Sequence, residues 1–291
     1  MLNLGLIQDG ITIFMGVVLE ALPFVLLGVL VSAGLRRFAT PERVAAILPK
    51  HPLLAQPVAA LLGVALPVCE CGNLPVARQL IKQGMPPSAA ITFLLSAPIL
   101  NPAVFISTYA AFRFAPDLVA SRFILGFIVA ILVGWFFRWQ GEKGVVLAEV
   151  EKEIACVHHH GGVRQIVDEF FEMFSALAVG AGIAAIVQIV VPRAALTELA
   201  SNPLLAISVM MLLALIVSLC SNVDAFFALS FSGTFPASSL LAFLVFGPMI
   251  DFRAISLMRR SFTTRTIVII ILLVAQLVFL STLALHYTGI L

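Results

Sequence analysis

Cys69, Glu70 and Cys71 stand together inside an otherwise apolar stretch, "PVCECGNLP". Thiolates are soft donors that favour copper(I), zinc and other thiophilic species. On a straight helix, side chains two residues apart point about 200° from each other, so both thiols can meet one ligand only in an unwound turn. Gly72 and Pro75 permit such a turn. Cys220, in "LCSNVD", offers a third thiol. Cys69, Cys71 and Cys220 are therefore candidate ligands for a trigonal soft ion or a trivalent metalloid. The competing reading treats each cysteine as a small, soft packing residue.

Charged groups lie in the same apolar surroundings. Glu20 falls near the middle of the first apolar run, and Glu70, Asp224, Asp251 and Arg253 lie where later runs are interrupted. An ionisable side chain at membrane depth costs roughly 2.5–3.5 kcal/mol on insertion scales, so it faces a cavity or a partner. Asp251 and Arg253 are close enough in sequence to pair. Glu20, Glu70 and Asp224 are the candidate proton carriers, with a carboxylic acid hydrogen-bonded to a neighbouring helix as the alternative for Glu20. Asn73, Ser96, Pro98, Asn101 and Asn222 occupy the same interruptions and complete the candidate substrate site. Arg78 and Lys82 read as the end of a segment near an interface. His158–His160, with Cys156 nearby, invite a metal reading, but consecutive residues cannot all converge on one ion, and a solvated linker fits them better.

What positions these residues must be helical and membrane-embedded. Of 291 residues, 61% are hydrophobic and 11% charged, against about 25% charged in soluble domains. Charge-free runs cover 83–112, 173–192, 199–223, 225–250 and 266–291, each meeting the roughly 20 residues needed to cross a bilayer. Apolar segments near 10–35, 53–69, 87–112, 123–137, 170–191, 204–219, 240–250 and 266–286 predict about eight crossings of an all-α membrane protein. No cleavable leader is expected, because the first ten residues carry no basic region. The net charge of +2 comes from basic residues scattered at segment ends and points to no nucleic-acid partner.

The two ends of the chain resemble each other. "HPLLA" at His51 matches "NPLLA" at Asn202, and "CECGN" falls opposite "LCSNVD". Pro86, Phe93, Pro98 and Asn101 align with Pro236, Phe243, Pro248 and Asp251, an offset of about 150 residues. The expected organisation is a first transmembrane repeat over 1–138, a polar His-containing linker over 139–165 and a second repeat over 166–291. Each repeat carries two helix breaks, "PVCECGNLP" and "SAPILNP", then "LCSNVD" and "FGPMID". Non-helical backbone survives in a membrane only inside protein or beside water. Paired discontinuous helices are the sequence mark of a transporter's binding site. Placing Arg36, Arg37, Arg43, Lys50, the linker, Arg259, Arg260 and Arg265 on the cytoplasmic side satisfies the positive-inside rule. That arrangement leaves Arg113, Arg122 and Arg193 outside, and implies an odd number of crossings per half and inverted repeats.

The run "CECGNLPVARQLIKQGMPPSAAITFLLSAPILNPAVFISTY" resembles the YraQ/ArsP-like permease family, in Cys69, Cys71, Gly72, Pro75, Gly84, Phe93, Leu94, Pro98, Asn101 and Pro102. The resemblance implies a multi-pass permease of the cell (inner or plasma) membrane, with thiols near the permeation route. It further implies export of trivalent organoarsenicals or soft metal ions. Glu70 departs from the small residue usual between those cysteines, and favours a cationic substrate or proton coupling over a neutral organoarsenical.

The chain carries no phosphate-binding glycine loop, no H-E-x-x-H and no G-x-S-x-G. No enzyme activity, no cofactor and no single-chain ATP-driven pump is therefore expected. The expectation is a secondary permease that binds a small solute or ion between two repeats in the lipid bilayer, possible also as a homo-oligomer. Three alternatives stand beside it: an intramembrane thiol-disulfide oxidoreductase cycling Cys69 and Cys71, a permease for a small sulfur-containing anion, and a scaffold subunit of a larger complex.

Overall fold

The computed structural model describes residues 4–38, 49, 52–65, 70, 72–141, 144–147, 163–190 and 202–289. Among the described residues it is all helical. The helices before the linker are α1 (Leu4–Phe38), α2 (Pro52–Ala65), α3 (Asn73–Lys82), α4 (Pro87–Leu100), α5 (Pro102–Ala111) and α6 (Pro116–Gln140). Those after it are α7 (Val163–Val190), α8 (Pro203–Val217), α9 (Asp224–Leu229), α10 (Ala237–Met249), α11 (Phe252–Met258) and α12 (Thr264–Thr288). The lengths run 35, 14, 10, 14, 10, 25 and then 28, 15, 6, 13, 7, 25 residues. Long and short elements thus alternate in the same order on both sides of the linker. Proline at the first turn of α4, α5, α6 and α8 starts four of them, where its missing N–H costs nothing.

Among the described residues, five segments are long and apolar enough to cross a membrane: Gly10–Leu35, Pro87–Ala111, Pro116–Gln140, Ala237–Met258 and Thr264–Thr288. The expected count of about eight is not confirmed by them. At 1.5 Å per residue, α2 and α8 are only about 21 Å long, short of a hydrocarbon core of about 30 Å. Two of the five spans are themselves interrupted, at Asn101 and at Ile250–Asp251.

The core is built on α4 and α10, whose residues are buried from Ser88 to Ile99 and, apart from half-buried Gly247, from Ser238 to Met249. Both are apolar all round, as a helix enclosed on every side must be. On one side of the core α2 and α6 flank α4, on the other α8 and α12 flank α10, and α4 meets α10 between them. The two longest helices, α1 and α7, pack against each other, α1 lying on α3 and α7 on α11.

All four expected breaks are present. Pro98 and Pro248 lie within α4 and α10, and the chain turns just beyond them, where Asn101 and Asp251 cap α5 and α11. Glu70 and Gly72 form the turn before α3, while Ser218 to Val223 separate α8 from α9. Ser218 ends α8 in the left-handed region at φ 47°, a conformation few non-glycine residues adopt.

Glycines bring the long helices close to these breaks. A Cβ on Gly28 would lie 2.5 Å from the Cα of Gly72, and one on Gly180 would lie 2.8 Å from the Cα of Arg253. The small-residue runs "GVLVSAG" and "GAGIAA" therefore set how near α1 comes to the Glu70 turn and α7 to the Arg253 turn. Gly180→Ala should lower unfolding stability by about 1–3 kcal/mol, because backbone, not a movable side chain, meets the new methyl. Gly182→Ala, two residues along the same helix with nothing within 4 Å, should be neutral or stabilising. Equal effects of the two in detergent unfolding curves would disprove this packing role.

The start of the linker is anchored. Val146 pairs with Phe262 in an isolated antiparallel bridge, with Leu147 N–H donating to Ser261 O at 2.9 Å and Thr263 N–H to Val145 O at 3.2 Å. Cys156 and His158–His160 lie outside the described residues.

Candidate functional site

The short helix α3 is buried from Asn73 to Ile81 although it contains Asn73, Arg78 and Gln79. Buried polar groups need partners, and those of Arg78 in α3 and of Glu70 in its preceding turn lie in the opposite half of the molecule. Glu70 is buried, and its two carboxylate oxygens are held separately. Oε1 accepts from Arg253 Nη2 at 3.1 Å, and Oε2 accepts from the Ser221 hydroxyl at 3.0 Å. Arg253 also donates through Nε to Asp251 Oδ2 at 3.0 Å. The other oxygen of Asp251 accepts from Ala254 N–H at 2.6 Å and caps α11. The pairing of Asp251 with Arg253 expected from the sequence is present, with Glu70 added to it.

A second ion pair adjoins the first. Arg122, from α6, donates through Nη2 to Asp224 Oδ2 at 2.6 Å and through Nη1 to Thr108 Oγ1 at 2.8 Å. Nη2 also reaches the Ser221 carbonyl at 3.5 Å. Ser221 is therefore the joint between the two pairs, its hydroxyl on Glu70 and its carbonyl on Arg122. The result is a polar chain, Asp251–Arg253–Glu70–Ser221–Arg122–Asp224, in which every residue is at least 96% buried. Arg122 and Glu70 come from before the linker and the other four from after it, so the chain stitches the two halves together.

Among the described residues, formal charge in this layer does not balance, with three carboxylates against two guanidiniums. Arg122 and Asp224 neutralise each other. Asp251 is tied to Arg253 and to the positive N-terminal end of α11, which leaves Glu70 as the carboxylate in excess. The layer favours positive charge, whether a proton or a cation. Among the described residues, Asp224 Oδ1 and Arg122 Nε in this layer, and Asn222 Oδ1 in the adjoining turn, have no hydrogen-bond partner.

Beside Glu70 is a cavity of about 10 Å³ lined by Asn73, Leu94, Pro98, Pro248, Met249 and Met258, among others. That is room for about one water molecule. Asn73 donates through Nδ2 to Leu94 O at 2.8 Å. The matched prolines of the two halves, Pro98 and Pro248, face the same space. Within α3, Arg78 forms an ion pair with Glu172 of α7 at 3.0 Å, and Ser32 of α1 donates to Glu169 of α7 at 3.0 Å. The segment-end reading of Arg78 gives way to a buried side chain paired across the halves.

The other sequence candidates fall in several places. Asn101 acts as a helix cap, its Oδ1 accepting from Ala103 N–H at 2.9 Å. Ser96 donates to Ala60 O and Phe93 O at 3.2 Å, which places it in the packing of α4 on α2 and away from the charged layer. Asn222 is half-buried in the Ser218–Val223 turn. Cys220 is a buried thiol in the same turn, its carbonyl accepting from Val223 N–H and Asp224 N–H. Cys69 and Cys71 lie outside the described residues, and so does the side chain of Glu20. The metal set of Cys69, Cys71 and Cys220 is thus described for Cys220 alone. Among the described residues no three His, Cys, Asp or Glu side chains form a metal-binding group.

Arg122 was placed in an external loop by its position between apolar runs. The structure puts it at 0% exposure in the centre of the molecule, so it says nothing about orientation. Helix periodicity could have found it, because Arg122 falls on the same face of α6 as Val119, Gly126, Val129 and Val133, all buried. Ser221 and Thr108 carry no such signal, since their importance comes from partners 151 and 14 residues away.

Residues 7–287 match a family model described as a predicted permease, ArsP_1. A Bacillus subtilis (strain 168) protein named "UPF0718 protein YcgR" is 38% identical over 274 residues, covering 92% of this chain and 93% of its own. A Streptococcus mutans protein named "Putative two-component membrane permease complex subunit" is 36% identical over 269 residues, 88% of each chain. No solved structure matches.

Proposed function

The chain belongs to the ArsP_1 family of predicted permeases, and from that premise we propose that it is a secondary permease moving a small thiophilic cation or metalloid between its two halves. The observation that carries this reading is the buried chain from Asp251 to Asp224, which joins helix breaks of both halves around one excess carboxylate. A layer with that charge attracts cations and repels anions, which disfavours the small sulfur anion as cargo. Cys69 and Cys71 flank Glu70 in sequence, Cys220 adjoins Ser221, and the thioethers of Met249 and Met258 line the cavity. Soft donors that neighbour an acidic group in sequence or line its cavity suit a soft metal ion or a trivalent arsenical.

A cavity the size of one water molecule cannot pass such a solute, so this arrangement corresponds to an occluded state. Transport then needs the halves to separate, exchanging the Glu70–Arg253 and Arg78–Glu172 pairs for contacts with water or cargo. In each half, one long helix, a short helix pair and two further spans make an odd number of crossings if the pairs α2–α3 and α8–α9 enter and leave on one side. Odd crossings make the repeats inverted, the arrangement that suits alternating access.

The decisive experiment loads purified protein into proteoliposomes and follows trivalent arsenite, methylarsenite, silver(I), copper(I) and zinc, with and without an imposed proton gradient. Gradient-dependent flux of at least one soft species is expected. Absence of flux for all of them, under conditions where a control transporter works, would overturn the reading. A subunit role, favoured by the name of the Streptococcus mutans relative, would instead appear as flux only after a co-purifying membrane protein is added.

A further inference from the structure

Gln276 is the midpoint of α12, Thr264–Thr288, which has the highest mean hydropathy of the five spans. Its side chain is exposed on the outer surface and makes no hydrogen bond to any described residue. It lines an open groove of about 480 Å³ between α8, α10 and α12, with Ser208, Leu212, Leu215, Phe246 and Phe279. No residue lining this groove is charged. Ser208 is satisfied within its own helix, donating to Leu204 O at 2.9 Å. The one unsatisfied polar group on this face therefore lies at the depth where water is scarcest, and an unbonded amide there costs several kcal/mol.

We propose that this groove is the contact surface of a twofold dimer of the chain, in which Gln276 bonds to Gln276 of a second copy. A primary amide carries both donors and an acceptor, so two of them facing each other satisfy both at once. A twofold axis along the membrane normal puts the same residue of each copy at the same depth, and a residue near that axis meets itself. A second copy is thus matched to Gln276 in both chemistry and height, with no like charges brought together. Acyl chains fill a groove of this shape but offer the amide nothing. Interhelical hydrogen bonds from polar side chains are a known source of association between membrane helices.

Oxidative cross-linking of Gln276→Cys in native membranes tests the contact. A disulfide-linked species at twice 31.2 kDa is expected above the wild-type background, whereas Leu61→Cys, exposed on α2, should give none. Gln276→Leu keeps the span apolar and should reduce the dimer fraction in dilute nanodiscs at least about threefold, as loss of the reciprocal pair of interhelical hydrogen bonds predicts. The proposal is overturned if Gln276→Cys does not cross-link, if Leu61→Cys cross-links equally, or if Gln276→Leu dimerises like wild type. Native mass spectrometry showing a monomer with bound lipid, or one chain with a different polypeptide, overturns it as well.

Discussion

Replacing Arg122 by alanine should destabilise the protein by about 3–5 kcal/mol, the usual loss when one member of a buried ion pair is removed. Arg122 is wholly buried, and its guanidinium is the partner of Asp224 Oδ2, of Thr108 Oγ1 and of the Ser221 carbonyl. The substitution leaves Asp224 as a buried carboxylate whose Oδ1 already has no partner. Desolvation of that charge then stands uncompensated. Arg122→Lys should recover little, since an ammonium is a point donor and cannot span the same partners as the planar fork. The double substitution Arg122→Met with Asp224→Leu should recover most of the loss, because a buried pair replaced by apolar groups of similar volume is often neutral. Unfolding free energies in mixed micelles provide the measurement. A single-variant loss below about 1 kcal/mol would place the pair in a water-filled space and contradict the buried layer.

Glu70→Gln should leave stability nearly intact and remove proton-driven transport. The amide has the size of the acid, and Ser221 can turn from donor to acceptor. The new side chain can therefore give its oxygen to Arg253 and its NH₂ to Ser221. Asp251 keeps Arg253 Nε and the cap on Ala254, so the remaining charges, two carboxylates against two guanidiniums, balance. What disappears is the carboxylate that the proposed mechanism uses to take up and release a proton or to compensate a cation. Coupling free energies of about 1–3 kcal/mol correspond to a 5–150-fold change, and flux under a proton gradient should fall within that range. Downhill flux should also lose its pH dependence. Wild-type rates at every pH in the Glu70→Gln protein would remove Glu70 from the mechanism.

Much of the architecture follows from local signals. Proline, glycine and isolated polar residues within apolar runs marked the four breaks, and their recurrence at matched positions marked the repeated order of helices. The motifs "SAPILNP" and "FGPMID" contain the breaks at Asn101 and Asp251, while Pro98 and Pro248 within them stay helical, because a proline inside a buried helix can be accommodated when neighbouring helices enclose it. Length is harder to read from composition: α8 is as apolar as a span but ends at a turn after 15 residues, and hydropathy does not register length cut short by a helix break. Glu70, Asp224 and Asp251 were identifiable as charged groups in apolar sequence. Their partners were not, since Arg253 lies 183 residues from Glu70 and Arg122 lies 102 residues from Asp224. Only the packing of one half on the other brings them together.

The strand-like bridge at Val146 bears on how such a molecule can move. Two main-chain hydrogen bonds at this corner, together with the Thr263 and Thr266 hydroxyls on the Gly144 and Val145 carbonyls, fasten the end of α6 to the turn between α11 and α12. At about 1 kcal/mol each, these bonds outlast thermal jostling, yet they hold only one rim of the assembly. In the separation of the halves proposed above, such a clasp would act as a fulcrum: the rim it fastens would part last, and the rim farthest from Val146 would gape widest.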